Sequence, residues 1–451
     1  MGIILTAQAN VSGDRRKVAP FGIALSFDRT HIAAMQNEAT LTRGVKEFAL
    51  GPKEFVGMMA SLMAMNALAI DAMLPALGFI SRDYGLSDPN ARQWIVSAYL
   101  IGTGLGAVFY GPLSDRFGRR PVLLGAVGVY TMLSVLSIFS GTFGTLVGLR
   151  LAQGLAAGAF SVLVGSIVRD RYSGDAMAQL MSFVFIVFMG VPVIAPTLGS
   201  AVLAFAGWHM IFVLLALMGA GVGFWVYKRL PETLNPDNVI PIKASSIIEV
   251  WSKVITHRQA LGYMFGSGIA FGALFGFINS AQQVFFEVFG AADIFPYAFA
   301  GVAGAMALAS FFNSRIVMRF GARRVSHSAL IAFIALSAIH LVVAQGGESL
   351  AAFLILHALT MSMCGFIGAN FSSIAMEPFG HMAGAASSFQ NSCRMLCAAG
   401  LGVVIGQSFD GTVIPLVTGF LLCGSAALML LIWSEKGKLF TRPRHTRQVQ
   451  L

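Results

Sequence analysis

The chain has 451 residues, of which 56% are hydrophobic and only 11% charged, and its mean hydropathy is +0.76. A soluble chain carries roughly 25% charged residues to keep its surface wet; these are too few, so most of the chain must be solvated by lipid and no independent soluble domain fits. The net charge of +10 is no sign of a nucleic-acid partner, because it sorts to one side of the membrane once the spans are placed.

A helix needs about 20 mostly apolar residues to cross a hydrocarbon core. Residues 1–53 contain Asp14, Arg15, Arg16 and Lys17 but no such run, and they are expected to form a disordered cytoplasmic tail. Spans follow at about 54–80, 93–113, 120–140, 145–168, 178–203 and 208–228. After a linker holding Pro231, Pro236 and Pro241, six more lie at about 259–286, 293–315, 324–344, 349–374, 383–408 and 413–433. The sequence thus predicts an all-α membrane protein with twelve transmembrane helices in two pseudo-symmetric six-helix bundles. The expected units are 54–228 and 259–435, joined by a cytoplasmic linker at 229–258 and followed by a basic cytoplasmic tail at 436–451.

With the N-terminus placed in the cytoplasm, the outer loops receive only Arg82 and Arg92, and Arg150 and Arg394 fall inside spans; the remaining Lys and Arg lie on the inner side. Positive charge is retained on the cytoplasmic side, so both termini are expected there. Arg116-Phe117-Gly118-Arg119-Arg120 follows the second span and Arg319-Phe320-Gly321-Ala322-Arg323 the eighth, a trace of duplication at matching places. Cys364, Cys393, Cys397 and Cys423 sit in apolar segments and read as packing.

Several residues break the apolar pattern. A carboxylate deep in a span costs a few kcal/mol, so Asp71 should face a cavity or a partner. One that alternates between a dry and a cation-paired setting binds and releases a proton; the alternative is a structural carboxylate held by a neighbouring helix. Pro75 has no N–H, so the Asp71 carbonyl loses its helical partner and the first helix should kink. Arg150 is either a fixed positive charge that tunes a carboxylate or a tie to helix ends and backbone carbonyls. Gly154 and Gly158 make a small-residue face for close helix contact.

In the loop Gly111, Asp115, Arg116, Gly118, Arg119 and Arg120, the carboxylate suits a helix N-terminus or a basic side chain across the halves. The loop is therefore a candidate conformational latch, or else an orientation signal. Pro192 and Pro196 each remove a helical hydrogen bond from the fifth span, while Gly190 and Gly199 would let another backbone approach. Arg394, beside Gln390 and Asn391, makes the eleventh span polar. Met65, Met73, Tyr99, Gln282, Gln283 and Arg394 are the candidate cavity residues. Near the spans of the second half, Glu287 and Glu377 are the evident carboxylates, and His340 and His357 read as packing residues. No phosphate loop of the G-x-x-x-x-G-K-[ST] type occurs, which argues against a self-contained ATP-driven pump. No metal-ligand motif or catalytic constellation occurs either, so the chain does not read as an enzyme.

Gly111-Pro112-Leu113-Ser114-Asp115-Arg116-Phe117-Gly118-Arg119-Arg120-Pro121 resembles the signature loop of the major facilitator superfamily. Asp71-Ala72-Met73-Leu74-Pro75-Ala76-Leu77, Arg150-Leu151-Ala152-Gln153-Gly154 and Gly190 to Gly199 resemble motifs of its twelve-span drug:proton antiporters. Ala383 to Ser388 and Phe409 to Leu416 resemble the Bcr/CflA drug-resistance branch. Departures are Met73 in place of Tyr, Leu77-Gly78 in place of Leu-Pro, Ser200 in place of a second Gly, and Met318 at the second-half counterpart of Asp115. The resemblance implies a multi-pass transporter of the bacterial cytoplasmic (inner) membrane that works as a monomer. It would export drugs or other small organic compounds by alternating access, with the proton gradient as energy source, membrane lipid as surroundings and no cofactor. A proton-coupled importer or metabolite exporter on the same fold is the nearest alternative; a transport-dead sensor or scaffold is the more distant one.

Overall fold

In lipid no water completes an exposed amide, so each spanning segment must pair its own backbone, and the chain answers with helices. The structure, a computed structural model, describes residues 50–172, 174–236 and 244–440. Most of the two expected tails and part of the linker lie outside the described residues.

The spanning helices are α1 (Pro52–Asp83), α2 (Trp94–Phe117), α3 (Arg119–Ile138), α4 (Phe143–Arg171), α5 (Gly174–Phe205) and α6 (His209–Arg229). A short helix, Ala244–Thr256, precedes α7 (Arg258–Gln283), α8 (Phe295–Phe320), α9 (Ala322–Gln345), α10 (Leu350–Met376), α11 (Ala383–Gln407) and α12 (Ile414–Ser434). Among the described residues no strand occurs, and ten helices are by length and composition able to cross a membrane. The ends are called inner and outer after the charge asymmetry.

The duplication seen in the sequence has a structural counterpart. Gly118 between α2 and α3 and Gly321 between α8 and α9 have φ of +97° and +85°. A side chain is strained at such angles, so both copies of the basic turn carry glycine at the corner. Helix pairing repeats in the same way. In the first half α2 packs on α4, α3 on α4 and α6, and α1 on α4, α5 and α6. In the second, α8 packs on α10, α9 on α10 and α12, and α7 on α10, α11 and α12. The halves meet through α2 with α11 and α5 with α8, two pairs that exchange under the same six-helix shift.

The α2–α4 contact is backbone on backbone. A Cβ on Gly154 would stand 2.1 Å from the Tyr99 carbonyl oxygen, and one on Gly158 would stand 2.6 Å from the Ala107 nitrogen. From the other side, Cβ atoms on Gly102 and Gly106 would lie 2.2 Å and 2.1 Å from the carbonyl oxygens of Leu151 and Leu155. Gly154→Val is therefore expected to destabilise the first half by about 3 kcal/mol, the upper range of overpacking because backbone cannot yield. Gly148→Ala on the same helix, where a Cβ would meet nothing within 4 Å, is expected to be neutral. Thermal unfolding of the two purified variants checks the difference.

Candidate functional site

Asp71 sits where α1 breaks. The Met73 amide donates to the Ile70 carbonyl (3.2 Å), and the chain tightens into a 3₁₀ turn over Leu74–Ala76. Pro75 offers no N–H to the Asp71 carbonyl, as its ring chemistry dictates. The tightening also takes the Met73 amide away from the Ala69 carbonyl, leaving that oxygen open to another donor deep in the bundle.

Arg150 supplies one. Its Nη2 donates to the Ala69 carbonyl (2.8 Å), its Nε to the Ile95 carbonyl (3.1 Å) and its Nη1 to Gln153 Oε1 (2.6 Å). The guanidinium is fully buried, 4.3 Å from the centre of the Tyr99 ring. Tyr99 in turn donates its hydroxyl to Asn66 Oδ1 (2.8 Å), and Gln153 Nε2 donates to Ser134 Oγ (2.7 Å). One guanidinium thus joins α1, α2 and α4 at the break. Of the two roles the sequence left open, this geometry is that of the tie to backbone carbonyls, two residues from Asp71.

Helix α5 closes on the same point. A Cβ on Gly199 would lie 2.2 Å from the Ala72 carbonyl oxygen, so only glycine admits the turn. Pro196 is buried and Pro192 half-buried within a continuous helix. Gly190 does not share the role expected of it, since a Cβ there would meet nothing within 4 Å.

Two groups of expected cavity residues do different work in this state. Met65, Met73 and Tyr99 are fully buried, Tyr99 as the platform under Arg150. Gln282 and Gln283 belong to an outer closure between the halves. Gln93 donates to Gln283 and, through the same nitrogen, to the Gly406 carbonyl (2.8 Å); Gln283 Nε2 donates to Asn90 Oδ1 (2.7 Å). Asn90 Nδ2 donates to the carbonyls of Gln407 (3.1 Å) and Phe409 (2.9 Å), and Ser97 Oγ to Asn279 Oδ1 (3.0 Å). A Cβ on Gly78 would stand 3.0 Å from Gln282 Nε2, so glycine at this departure from the family motif makes room for that amide.

An Arg92–Glu287 ion pair completes the closure. The sequence placed these two at separate span ends and held no signal that they meet. A partly exposed pair of this kind contributes up to about 1 kcal/mol, so Arg92→Ala is expected to raise the outer-open population about fivefold. The rate at which an impermeant thiol reagent labels Ser97→Cys from outside, with and without Arg92→Ala, measures it.

Among the described residues the ion pairs at the inner end each join groups of one half, the first cluster with Glu232 of the linker beside it. Arg119 Nη1 donates to Asp115 Oδ1 (2.5 Å) and Ser114 Oγ (2.6 Å), and its Nε to Asp170 Oδ2 (2.9 Å). Glu232 accepts from the amides of Arg119 (2.9 Å) and Arg120 (3.1 Å) at the start of α3. The expected partner of Asp115 is a helix N-terminus or a basic side chain across the halves; in this state it pairs with Arg119, the first residue of α3, because the chain turns at the Gly118 corner between them. Arg116 is exposed, Arg120 donates to the Tyr227 carbonyl (2.7 Å), and Gly111 faces Ser388 of α11, whose Oγ would lie 3.1 Å from an added Cβ. In the second half Arg323 binds Glu377 (2.9 Å) and Glu435 (2.9 Å). Arg394 on α11 donates to Asn391 Oδ1 (2.7 Å) and lies 5.2 Å from the Phe271 ring centre on α7.

The sequence profile of the Major Facilitator Superfamily matches residues 59–403. A bicyclomycin resistance protein homolog of Haemophilus influenzae is 30% identical, over 80% of this chain and 91% of its own length. A chloramphenicol resistance protein of Pseudomonas aeruginosa is 29% identical, over 57% of this chain and 60% of its own. Among solved structures, a D-xylose-proton symporter superposes with a TM-score of 0.66 at 15% identity, covering 85% of this chain and 98% of the other; at that identity the likeness is one of fold.

Proposed function

The chain belongs to the major facilitator superfamily, and we propose that it is a proton-coupled antiporter that exports drugs or other small organic compounds across the bacterial cytoplasmic membrane. The observation that carries this reading is Asp71, a carboxylate buried at a break in the first spanning helix and backed by the fixed Arg150. The resistance named for the two relatives supports the class of cargo.

In the proposed cycle the halves, 54–228 and 259–435, rock about a central cavity. Asp71 takes a proton from the outer side, which favours release of cargo outward, and gives it up on the inner side as cargo binds. Neither proton nor drug can drive the exchange unless it binds the two access states unequally. Arg150 keeps the α1 break, and so the carboxylate, in place. The outer closure around Asn90, Arg92 and Gln93 parts in the outward-open state, while the Asp115–Arg119 turn latches the inner end. Pro192, Pro196 and Gly199 shape α5 against the break. Arg394, on the opposite half, is the residue for which an anionic or polar cargo group is suited. The proton gradient is the energy source; the chain acts as a monomer, with both termini cytoplasmic.

Everted vesicles test the reading with cationic, neutral and anionic drugs. Drug accumulation that collapses with a protonophore, together with drug-induced proton release measured by a pH-sensitive dye, is the expected result. Accumulation indifferent to the proton gradient would reject it.

A further inference from the structure

The second half contains a sealed carboxylate that the transport cycle above does not use. Glu348 follows Gly346 and Gly347 in the outer loop between α9 and α10, a stretch that reads as solvent-exposed, and Gly346, Gly347 and Ser349 around it are indeed exposed. Its side chain folds inward instead and is only 1% exposed. Nε2 of His340 on α9, a side chain with no exposure at all, lies 3.1 Å from Glu348 Oε2, within ion-pair reach though off the hydrogen-bond line. Both Glu348 oxygens and both ring nitrogens of His340 and of His357 on α10 are buried without a hydrogen-bond partner among the described residues.

The surroundings are aromatic. The His340 ring lies 5.5 Å from Phe353, and the His357 ring stacks on the same Phe353 at 5.1 Å and lies 4.1 Å from Phe277 of α7 and 5.5 Å from Phe420 of α12. Asp293 and Asp410, in the neighbouring outer loops, are exposed, and Asp410 accepts from Thr412. Glu287, beyond the end of α7, is paired with Arg92. Cys364 and Cys423 lie deeper along α10 and α12. Arg315 and Arg319 of α8, Arg323, Arg324 and His327 of α9, and Glu377 after α10 belong to the inner end, about 20 Å away along the helices. Among the described residues, therefore, no other charge balances the carboxylate.

We propose that Glu348 and His340, with His357 across the Phe353 ring, form a second proton-binding site at the outer end of the second half. A sealed carboxylate with a neutral imidazole would leave one uncompensated negative charge in an apolar space, which is costly. One proton taken from the outer water onto Glu348 Oε2 removes that charge, and no heavy-atom bond forms or breaks. The proton leaves when the Gly346–Gly347 hinge, with Gly347 at φ +79°, swings Glu348 back into water. Because Phe277 rests on His357 and lies on the helix that carries Asn279 and Gln283 of the outer closure, the site is placed to sense the outer side.

The test reads proton binding directly and needs no drug, so its failure leaves the exporter reading standing. Infrared spectra of the purified full chain carrying Asp71→Asn are recorded from about pH 4.5 to about pH 9, the range where carboxyl and imidazole groups titrate. A carboxylic-acid C=O band that grows as the pH is lowered, vanishes with Glu348→Gln and is altered by His340→Asn supports the site. The same band with Glu348→Gln, or no titrating band in the parent, overturns it. Should Glu348→Gln fail to fold, ¹³C-glutamate labelling of the parent decides: a band that shifts with the label and responds to His340→Asn supports the site, and one that does neither overturns it.

Discussion

Asp71→Asn is expected to leave a transporter that binds drug and lets it run downhill but no longer accumulates it at the expense of the proton gradient. The substitution keeps the size and polarity of the side chain at the α1 break and removes the oxygen that exchanges a proton. Without a proton that binds the two access states unequally, the gradient has no hold on their equilibrium. In everted vesicles the protonophore-sensitive part of accumulation should vanish, and the dye should report no drug-induced proton release. Asp71→Glu, which keeps the carboxylate on a longer arm, should retain part of both signals. Undiminished proton dependence in Asp71→Asn would remove Asp71 from the cycle.

The second large effect is expected at Arg150, and on stability first. Arg150→Ala takes the donors from the Ala69 and Ile95 carbonyls and from Gln153 Oε1 at once, in a region closed to water. A buried acceptor left open costs about 1–3 kcal/mol, and the Tyr99 ring loses its cation, about 1–2 kcal/mol when desolvated. Partial relaxation leaves an expected loss of about 3–5 kcal/mol, enough to deplete folded protein in the membrane. Arg150→Lys keeps the charge but replaces a planar fork by a single point, so it should recover only part of the loss. Arg394→Ala is the contrasting case, because among the described residues its hydrogen bond goes to Asn391, three residues along its own helix, and its contact with another helix is the Phe271 ring; it should cost about 1 kcal/mol. Melting temperatures of the three variants rank the effects, and an Arg150→Ala chain as stable as Arg394→Ala would refute the tie.

The residues that stood out in the sequence did so because they violate a local rule. A carboxylate at 71 and a guanidinium at 150 are visible in apolar runs because lipid makes each of them costly there. Gly154 and Gly158 were legible for a similar reason, since small residues four apart mark a face where backbones touch. Gly190, a glycine without a small neighbour four residues away, would let another backbone approach but meets nothing within 4 Å, because a glycine in a span says that room exists and not what lies opposite. For Asp115 the sequence leaves open a helix N-terminus or a basic side chain across the halves, and the structure supplies Arg119, just past the Gly118 corner. Glu348 does not stand out for the opposite reason: after two glycines it has the look of a wet loop, and only the inward fold of its side chain against His340 buries it.

Twelve spans, their duplicated order and the sidedness of the charge were already present in the order of residues. Each follows from a constraint that acts on one segment at a time: a span must be long enough, pair its own backbone and keep its basic residues on one side. Which groups meet was decided by the tertiary structure. The Arg150 donors on the Ala69 carbonyl, the closure from Asn90 to Gln407, and Glu348 against His340 depend on the depth and rotation of helices far apart in the chain. A shift of one residue turns a helix face by about 100°, so no local pattern carries that information, and the packing of all twelve helices together sets it.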